Sequence, residues 1–223
     1  MSSRTAHRIS LVLGLLVLGI AIYSIGQPAP PTCGGLAKNY PPIIAFELVR
    51  SVADLHAIFG DAPGTCRVAI VRAMDSTNVT DSLLFIQAYG AFLIFFFLGR
   101  RVAAPRLATA AILIVVLACV ADHLENFALF HLSADPDRST WMSLLIPATE
   151  TKWVGLGIAA LLAIPMLQGL ARWLAVIACG AGFLVTLATI PAPAIVGPYL
   201  SNAVALGWIL FLAIDIRESL RRN

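Results

Sequence analysis

Two neighbouring apolar stretches of this sequence contain ionisable side chains where hydrocarbon side chains are expected. The first stretch includes Asp122, Glu125 and Asn126, and the second begins with Glu150 and Lys152. A carboxylate beside an ammonium group is suited to ligand binding or to general acid–base chemistry. Ionisable residues at membrane depth are costly, so they mark a candidate functional site. The sequence locates the site without specifying a reaction.

The spacing of these residues indicates how they would meet. Glu125 and Asn126 follow Asp122 by three and four positions, which places all three near one face of a helix. A short loop joins this helix to the next one, so the two helices should be antiparallel neighbours. Lys152 would then lie at the depth of the carboxylates, and we expect it to form an ion pair with Asp122 or Glu125.

Other polar residues should lie at the same level. Asp81 and Tyr89 fall on roughly one side of the preceding helix. We assign polar or acid–base work to Asp122, Glu125 and Lys152, and ligand orientation to Asp81, Tyr89, Asn126 and Glu150. The opposite halves of the helices are almost purely apolar, which predicts a polar chamber that opens outward above an apolar floor. That asymmetry disfavours a channel or a proton relay, because both need polar groups across the whole membrane.

Two other interpretations of the cluster remain open. It could be a buried ion pair that fixes the register of the helices, or its oxygen atoms could hold a divalent cation. No cofactor is evident. The sequence contains no Cys and His spacing typical of a metal site and no motif that specifies a nucleophile.

The composition defines the class of protein. Hydrophobic residues make up 59% of the chain, charged residues 12%, and the mean hydropathy is +0.88. These values are typical of a polytopic membrane protein, since soluble domains are about a quarter charged. We predict an all-α bundle of six transmembrane helices that forms one domain over residues 1–223, with spans at Ile9–Gly26, Ser82–Leu98, Leu107–Leu129, Leu145–Leu167, Trp173–Ile190 and Ala194–Ile214.

The loop charges predict the orientation of the bundle. One set of loops has a net charge of +7 and the other a net charge of −4. By the positive-inside rule both termini are cytoplasmic, and the loop 27–81 is extracytoplasmic. The 13 arginines against 2 lysines in an Ala-rich chain favour a bacterial plasma membrane. Basic residues are scattered rather than clustered, so we expect no nucleic-acid partner.

The first apolar segment has two interpretations. Residues 1–26 combine a basic start, an apolar run and small residues at the end, which resembles a secretory signal peptide. The run is longer than the usual 7–15 residues of a signal peptide, which favours a retained helix.

The long loop should contain short helices and a disulfide. Apolar residues from Ile44 to Phe59 recur at helical spacing, and Ser51 with Asp54 suggests a helix start, so the firmest helix is 51–59. A second helical pattern covers Thr65 to Met74. The first pattern could pack on the bundle, lie in the membrane interface or form a moving lid. Cys33 and Cys66 would pair in an oxidising compartment, with two unpaired thiols as the alternative.

Three functions fit these observations. The first is a membrane-embedded enzyme or lipid-handling protein whose site faces the extracytoplasmic side and whose partners are membrane lipids. The second is a small secondary transporter. The third is a non-catalytic subunit whose external loop binds a partner protein. Homo-oligomerisation remains open.

Overall fold

A computed structural model describes residues 2–27, 32–37 and 39–220. All regular elements within these ranges are helical, which confirms the predicted all-α class. Six helices are long and apolar enough to cross a membrane, as expected for a multi-pass membrane protein. The α-helices are α1 (Ser3–Gly26), α2 (Pro42–Glu47), α3 (Val52–Phe59), α4 (Thr65–Thr80), α5 (Ile86–Arg100), α6 (Pro105–Ala134), α7 (Met142–Ala163), α8 (Gly169–Thr189) and α9 (Pro193–Leu220).

The six long helices form a ring in chain order. Helix α5 packs on α6, α6 on α7, α7 on α8 and α8 on α9, and α1 closes the ring by packing between α9 and α5. Small residues permit these close contacts. A Cβ atom at Gly14 of α1 would lie 2.9 Å from side-chain atoms of both Phe92 and Leu212, so α1 approaches its two neighbours at a residue without a side chain.

Large apolar side chains cover the outside of the ring. Fully or partly exposed examples occur on α1, α6, α8 and α9, including Val12, Leu113, Ile177 and Ile195. An exposed apolar surface of this extent indicates contact with a membrane. The core inside the ring is closed by aromatic contacts between α5 and α9, where Tyr89 stacks on Trp208 and Phe96 stacks on Phe211.

Helices α2 and α3 and the segments around them cover one end of the ring. We call residues 40–60 the cap, the ring end beneath them the cap end, and the opposite end the termini end. Phe46 of α2 and Phe59 of α3 meet edge to face with ring centroids 4.9 Å apart, and both are fully buried. The cap thus shares an apolar core with the ring rather than lying apart from it.

The cap contains a break that the sequence pattern did not indicate. The stripe from Ile44 to Phe59 belongs to two helices, because α2 ends at Glu47 and α3 begins only at Val52. The Ser51 side chain accepts a hydrogen bond from the Asp54 amide, as predicted for the start of α3. Gly60 follows α3 with a φ of +80°, a conformation that favours glycine.

Helices α4 and α5 form one long helix. A single π-helical turn over Asp81–Phe85 joins them into 36 continuous residues, Thr65–Arg100. The predicted start of the second span at Ser82 therefore lies inside a helix, and the segment before it is not a loop. Within this helix the Asn78 side chain is only 1% exposed.

A disulfide joins Cys33 to Cys66 at the first turn of α4, with the two Cα atoms 5.8 Å apart. The segment after Cys33 lies directly on α3, because the Cys33 amide donates to the Ile58 carbonyl at 2.9 Å. A Cβ atom at Gly34 would lie 2.1 Å from the His56 carbonyl oxygen, so only glycine fits there. The disulfide therefore holds the cap to α4.

Candidate functional site

The Lys152 ammonium group lies among three carboxylates near the cap end. Its Nζ atom is 2.9 Å from Glu47 Oε2 and 3.3 Å from Asp122 Oδ1, and it also donates a hydrogen bond to Glu125 Oε1. These four residues are called the lysine cluster. Each is at most 9% exposed, so the cluster is shielded from solvent. The sequence predicts an ion pair of Lys152 with Asp122 or Glu125. In the structure both carboxylates contact Lys152.

Three separate elements bring the lysine cluster together. Asp122 and Glu125 lie one turn apart on α6, and Lys152 faces them from the neighbouring α7. Glu47 is the last residue of α2 and enters from the cap. Two residues of α7 fix it there: Thr149 Oγ1 donates to the Glu47 carbonyl at 3.1 Å, and Trp153 Nε1 donates to its carboxylate at 3.2 Å.

The cluster contains more negative than positive groups. Its net charge is −2 when all four side chains are ionised, which is unfavourable in a buried site. Glu125 Oε2 is buried without a hydrogen-bond partner among the described residues. Burial raises the pKa of Glu47 above its usual range, although the Lys152 ammonium opposes this shift. Glu47 therefore holds a proton more readily than a glutamate in water does.

The residues predicted to orient a ligand lie beside the cluster. The Tyr89 hydroxyl donates to Asp122 Oδ2 at 2.6 Å. Asn126 Nδ2 donates to Asp81 Oδ2 at 2.6 Å and to Ser82 Oγ at 3.0 Å. Asp81 begins the π-helical turn, a feature that is frequent at functional sites. Tyr89 thus extends the cluster toward the centre of the ring, and the pair of Asp81 and Asn126 lies on its α5 side.

Glu150 does not join the cluster. It points away from Lys152 and forms an ion pair with Arg50, whose NH2 atom is 3.2 Å from Glu150 Oε1. The two residues border a narrow crevice between the cap and helices α7, α8 and α9, which Trp153 also lines. The volume of this crevice is about 10 Å³, which is at the lower limit for one water molecule. The route to the cluster is thus closed.

Glu47 is the cluster member that the sequence interpretation missed. Glu47 lies off the apolar stripe of residues 44–59, so it would face solvent if those residues formed one continuous helix. The break after α2 redirects the chain, so Glu47 points into the ring instead. The available signal was an acidic residue inside the apolar run IIAFELV, which spacing alone cannot assign to a partner on α7.

The expectation of an apolar floor was wrong. Asp215 of α9 is fully buried at the termini end, where His7 Nδ1 lies 2.9 Å from its Oδ1 atom and Ser10 donates to its Oδ2 atom. Arg100 NH1 is 3.5 Å from the same carboxylate, and its guanidinium group stacks 3.5 Å above the Phe96 ring. A second polar cluster, which we call the Asp215 cluster, therefore joins α1, α5 and α9.

The described residues contain no group of three or more His, Cys, Asp or Glu side chains placed to hold a metal ion. In the lysine cluster the carboxylates face the Lys152 ammonium, which occupies the position that a cation would take. Comparison with known proteins finds no matching protein-family model, no similar curated protein and no similar solved structure. The site therefore has to be interpreted from its own geometry.

Proposed function

We propose that this chain is an integral protein of the bacterial plasma membrane, with cytoplasmic termini, that binds a lipid or a lipid-linked small molecule at the lysine cluster. The observation that carries the proposal is the meeting of four buried ionisable side chains from α2, α6 and α7. One of them, Glu47, belongs to the cap, so access to the other three depends on a segment outside the six long helices.

The excess of carboxylates favours a binding site over a purely structural pair. One carboxylate is enough to neutralise the Lys152 ammonium. Each further buried acid adds a desolvation cost that tighter helix packing does not require. The unpartnered Glu125 Oε2 atom adds a second unfavourable feature. A protein retains such groups where they interact with something other than each other.

The cap and the crevice support a ligand that enters from the membrane. In the structure Glu47 and Trp153 lie directly against Lys152, and residues of the cap, α7, α8 and α9 line the crevice beside Trp153. Displacement of either side chain would open the cluster toward the cap end of the ring. Asp122, Glu125 and Lys152 would then contact the ligand, and Tyr89, Asp81 and Asn126 would orient it. No reaction type is assigned.

Mass spectrometry of the gently purified protein tests this proposal. We expect the wild-type protein to retain a stoichiometric lipid or small molecule, and Asp122→Asn to lose it while still folding. Asp135→Asn is the matched control, because the half-exposed Asp135 pairs with Arg138 and lies outside both the lysine cluster and the crevice. Equal retention by all three proteins, or a loss of thermal stability alone in Asp122→Asn, would contradict a binding role.

The Asp215 cluster favours one alternative, a small secondary transporter coupled to protons. Buried carboxylates occur toward both ends of the ring, with Asp122 and Glu125 near the cap end and Asp215 at the termini end. Stacked aromatic pairs of α5 and α9 lie between them, so a transport cycle would have to separate these rings. Labelling of a Lys152→Cys variant by a membrane-impermeant thiol reagent from both faces would support transport, and labelling from one face only would oppose it.

A further inference from the structure

We propose that the group received by the lysine cluster is an ammonium group, carried by an aminolipid headgroup or by a soluble amine. This inference rests on the proposed function and names the chemistry of its ligand. It depends on the balance of charge in the cluster, on the arrangement of groups around Lys152 and on one buried oxygen atom without a partner.

The charge balance favours a cation. Three carboxylates surround one ammonium, so the fully ionised cluster has a charge of −2. A charge of this size inside the ring has to be offset by protons or by a cationic group. Displacement of Glu47 with the cap still leaves two carboxylates against one ammonium. An anionic ligand would add to the excess in either state.

The Lys152 side chain shows how the site binds an ammonium group. Its Nζ atom is held by carboxylate oxygens of Glu47, Asp122 and Glu125 and lies 4.7 Å from the centre of the Trp153 ring. Carboxylates together with an aromatic face are the usual surroundings of a bound ammonium. The protein therefore already contains such a receptor, filled by its own amine.

The unpartnered oxygen shows where a second ammonium group could be bound. Glu125 is fully buried, and its Oε1 atom accepts a hydrogen bond from Lys152. Its Oε2 atom has no partner among the described residues. A buried carboxylate oxygen without a donor is unfavourable, so it attracts a proton or an N–H group. A ligand ammonium at this oxygen would satisfy it.

If the cluster stays neutral, binding of an ammonium ion must be accompanied by release of a proton. Without ligand, neutrality of the buried cluster requires two protons in addition to the charge of the Lys152 ammonium. When an ammonium ion R–NH₃⁺ enters, one of these protons leaves and the net charge stays at zero. Binding of one amine thus releases one proton, and the affinity should increase by about tenfold per pH unit while the ligand amine remains protonated.

The effect of removing the Lys152 amine on ligand affinity distinguishes an ammonium ligand from an anionic one. Lys152→Met removes the internal amine and leaves three carboxylates, so an ammonium ligand should bind at least as well as to the wild-type protein. An anionic ligand would lose its only cationic partner in the cluster. The double variant Glu47→Gln/Glu125→Gln has the opposite effect, because it leaves Asp122 and Lys152 as a neutral pair with no excess negative charge.

We suggest reconstitution into nanodiscs that contain phosphatidylethanolamine and phosphatidylglycerol, with lipids retained after extraction counted by native mass spectrometry. The wild-type protein, the control variant Asp135→Asn and Lys152→Met should retain phosphatidylethanolamine. The double Gln variant should bind it at least about tenfold more weakly, because a charge-assisted hydrogen bond is lost at each site. A parallel series in phosphatidylglycerol with added ethylammonium tests the soluble source through thermal stabilisation and proton release.

If Lys152→Met fails to fold, the double Gln variant still tests the inference. It should fold, because Lys152 remains paired with Asp122. Retention of an anionic molecule that is lost in Lys152→Met would overturn the ammonium inference while the proposed binding function stands. Retention of no lipid and stabilisation by no amine, in any variant, would overturn both. Release of one proton per amine by the wild-type protein and none by the double Gln variant is the result expected here.

Discussion

The carboxylate of Glu47 lies 2.9 Å from the ammonium of Lys152, although 105 residues separate the two along the chain. This contact joins the cap to the ring, because Glu47 ends α2 and Lys152 lies within α7. Thr149 and Trp153 of α7 hold the same glutamate. The cap therefore cannot move away from the ring without exposing the charged groups of the lysine cluster.

Replacement of Lys152 should reveal the cost of the buried carboxylates. Lys152→Met keeps an unbranched side chain that is one atom shorter and removes the charge, which leaves Glu47, Asp122 and Glu125 without a cation. Loss of one partner from a buried charged group typically costs about 3–5 kcal/mol. We expect a decrease of this size in the free energy of unfolding, measured by denaturant titration of the detergent-solubilised protein.

Two further variants control this measurement. Glu150→Gln removes a half-exposed ion pair with Arg50 and should cost no more than about 1 kcal/mol. Lys152→Met/Glu125→Gln should recover part of the loss, because it removes one of the unpaired carboxylates. If Lys152→Met and Glu150→Gln unfold at the same denaturant concentration, the lysine cluster does not stabilise the closed structure.

Reduction of the disulfide should loosen the cap. Cys33 and Cys66 are 33 residues apart. In the chain-entropy description a cross-link of this span raises the free energy of the unfolded chain by about 3–4 kcal/mol. We expect a reductant to lower the thermal midpoint and to increase hydrogen exchange in α2 and α3. Cys33→Ser should reproduce this effect and abolish the response to reductant.

The free thiols provide the control for that experiment. Cys119 is unpaired and only half-buried, so Cys119→Ser should leave the response to reductant unchanged. A wild-type protein whose cap exchanges at the same rate with and without reductant would show that the disulfide does not restrain this segment.

Acid should weaken a second attachment of the cap. Asp137, between α6 and α7, accepts hydrogen bonds from Arg67 of α4 at 2.9 Å and pairs with His56 of α3 at 2.8 Å. These hydrogen bonds, first from Arg67 and then from His56, lower the pKa of the exposed Asp137 carboxyl. Because the folded pKa lies below the unfolded value of about 4, the stabilisation is present above that pH and is lost as the pH falls through the lower folded value.

Thermal midpoints of the wild-type protein and of Asp137→Asn are measured from neutral pH down to acid below the unfolded Asp pKa of about 4. The difference between the two should be constant at neutral pH and should vanish in acid. Asp135→Asn is the matched control, since the nearby Asp135 pairs only with the exposed Arg138 among the described residues. A difference that persists unchanged in acid would exclude the Asp137 carboxylate as its source.

The sequence was sufficient to predict the six apolar helices and the meeting of α6 with α7. Hydropathy is a property of each segment, and the spacing of Asp122 and Glu125 defines their face without reference to other helices. A short connection then places Lys152 opposite them. These features are local in the chain, so a sequence pattern contains them.

The role of Glu47 could not be predicted in the same way. Its partner is 105 residues away, and a break of a few residues after α2 decides whether it faces water or the ring. Asp215 illustrates a related limit, because its position near the end of an apolar helix is typical of a solvent-exposed residue. Only the packing of α1 against α5 and α9 buries it, and residue spacing within α9 contains no information about α1.

Asp215 finally leads to a prediction about α1. Ser10 of α1 is fully buried and His7 is 8% exposed, and both bind the fully buried Asp215. Cleavage of α1 as a signal peptide would leave Asp215 without these two partners and would open one side of the ring. We therefore expect the mass of the purified protein to include α1. Asp215→Ala should lower the free energy of unfolding by about 3–5 kcal/mol, because it removes the buried carboxylate that faces the buried Arg100 guanidinium. Arg217→Ala, which alters an exposed residue of the same helix, should cost less than about 1 kcal/mol. A purified, folded protein whose mass lacks residues 3–26 would contradict the packing of α1 described above.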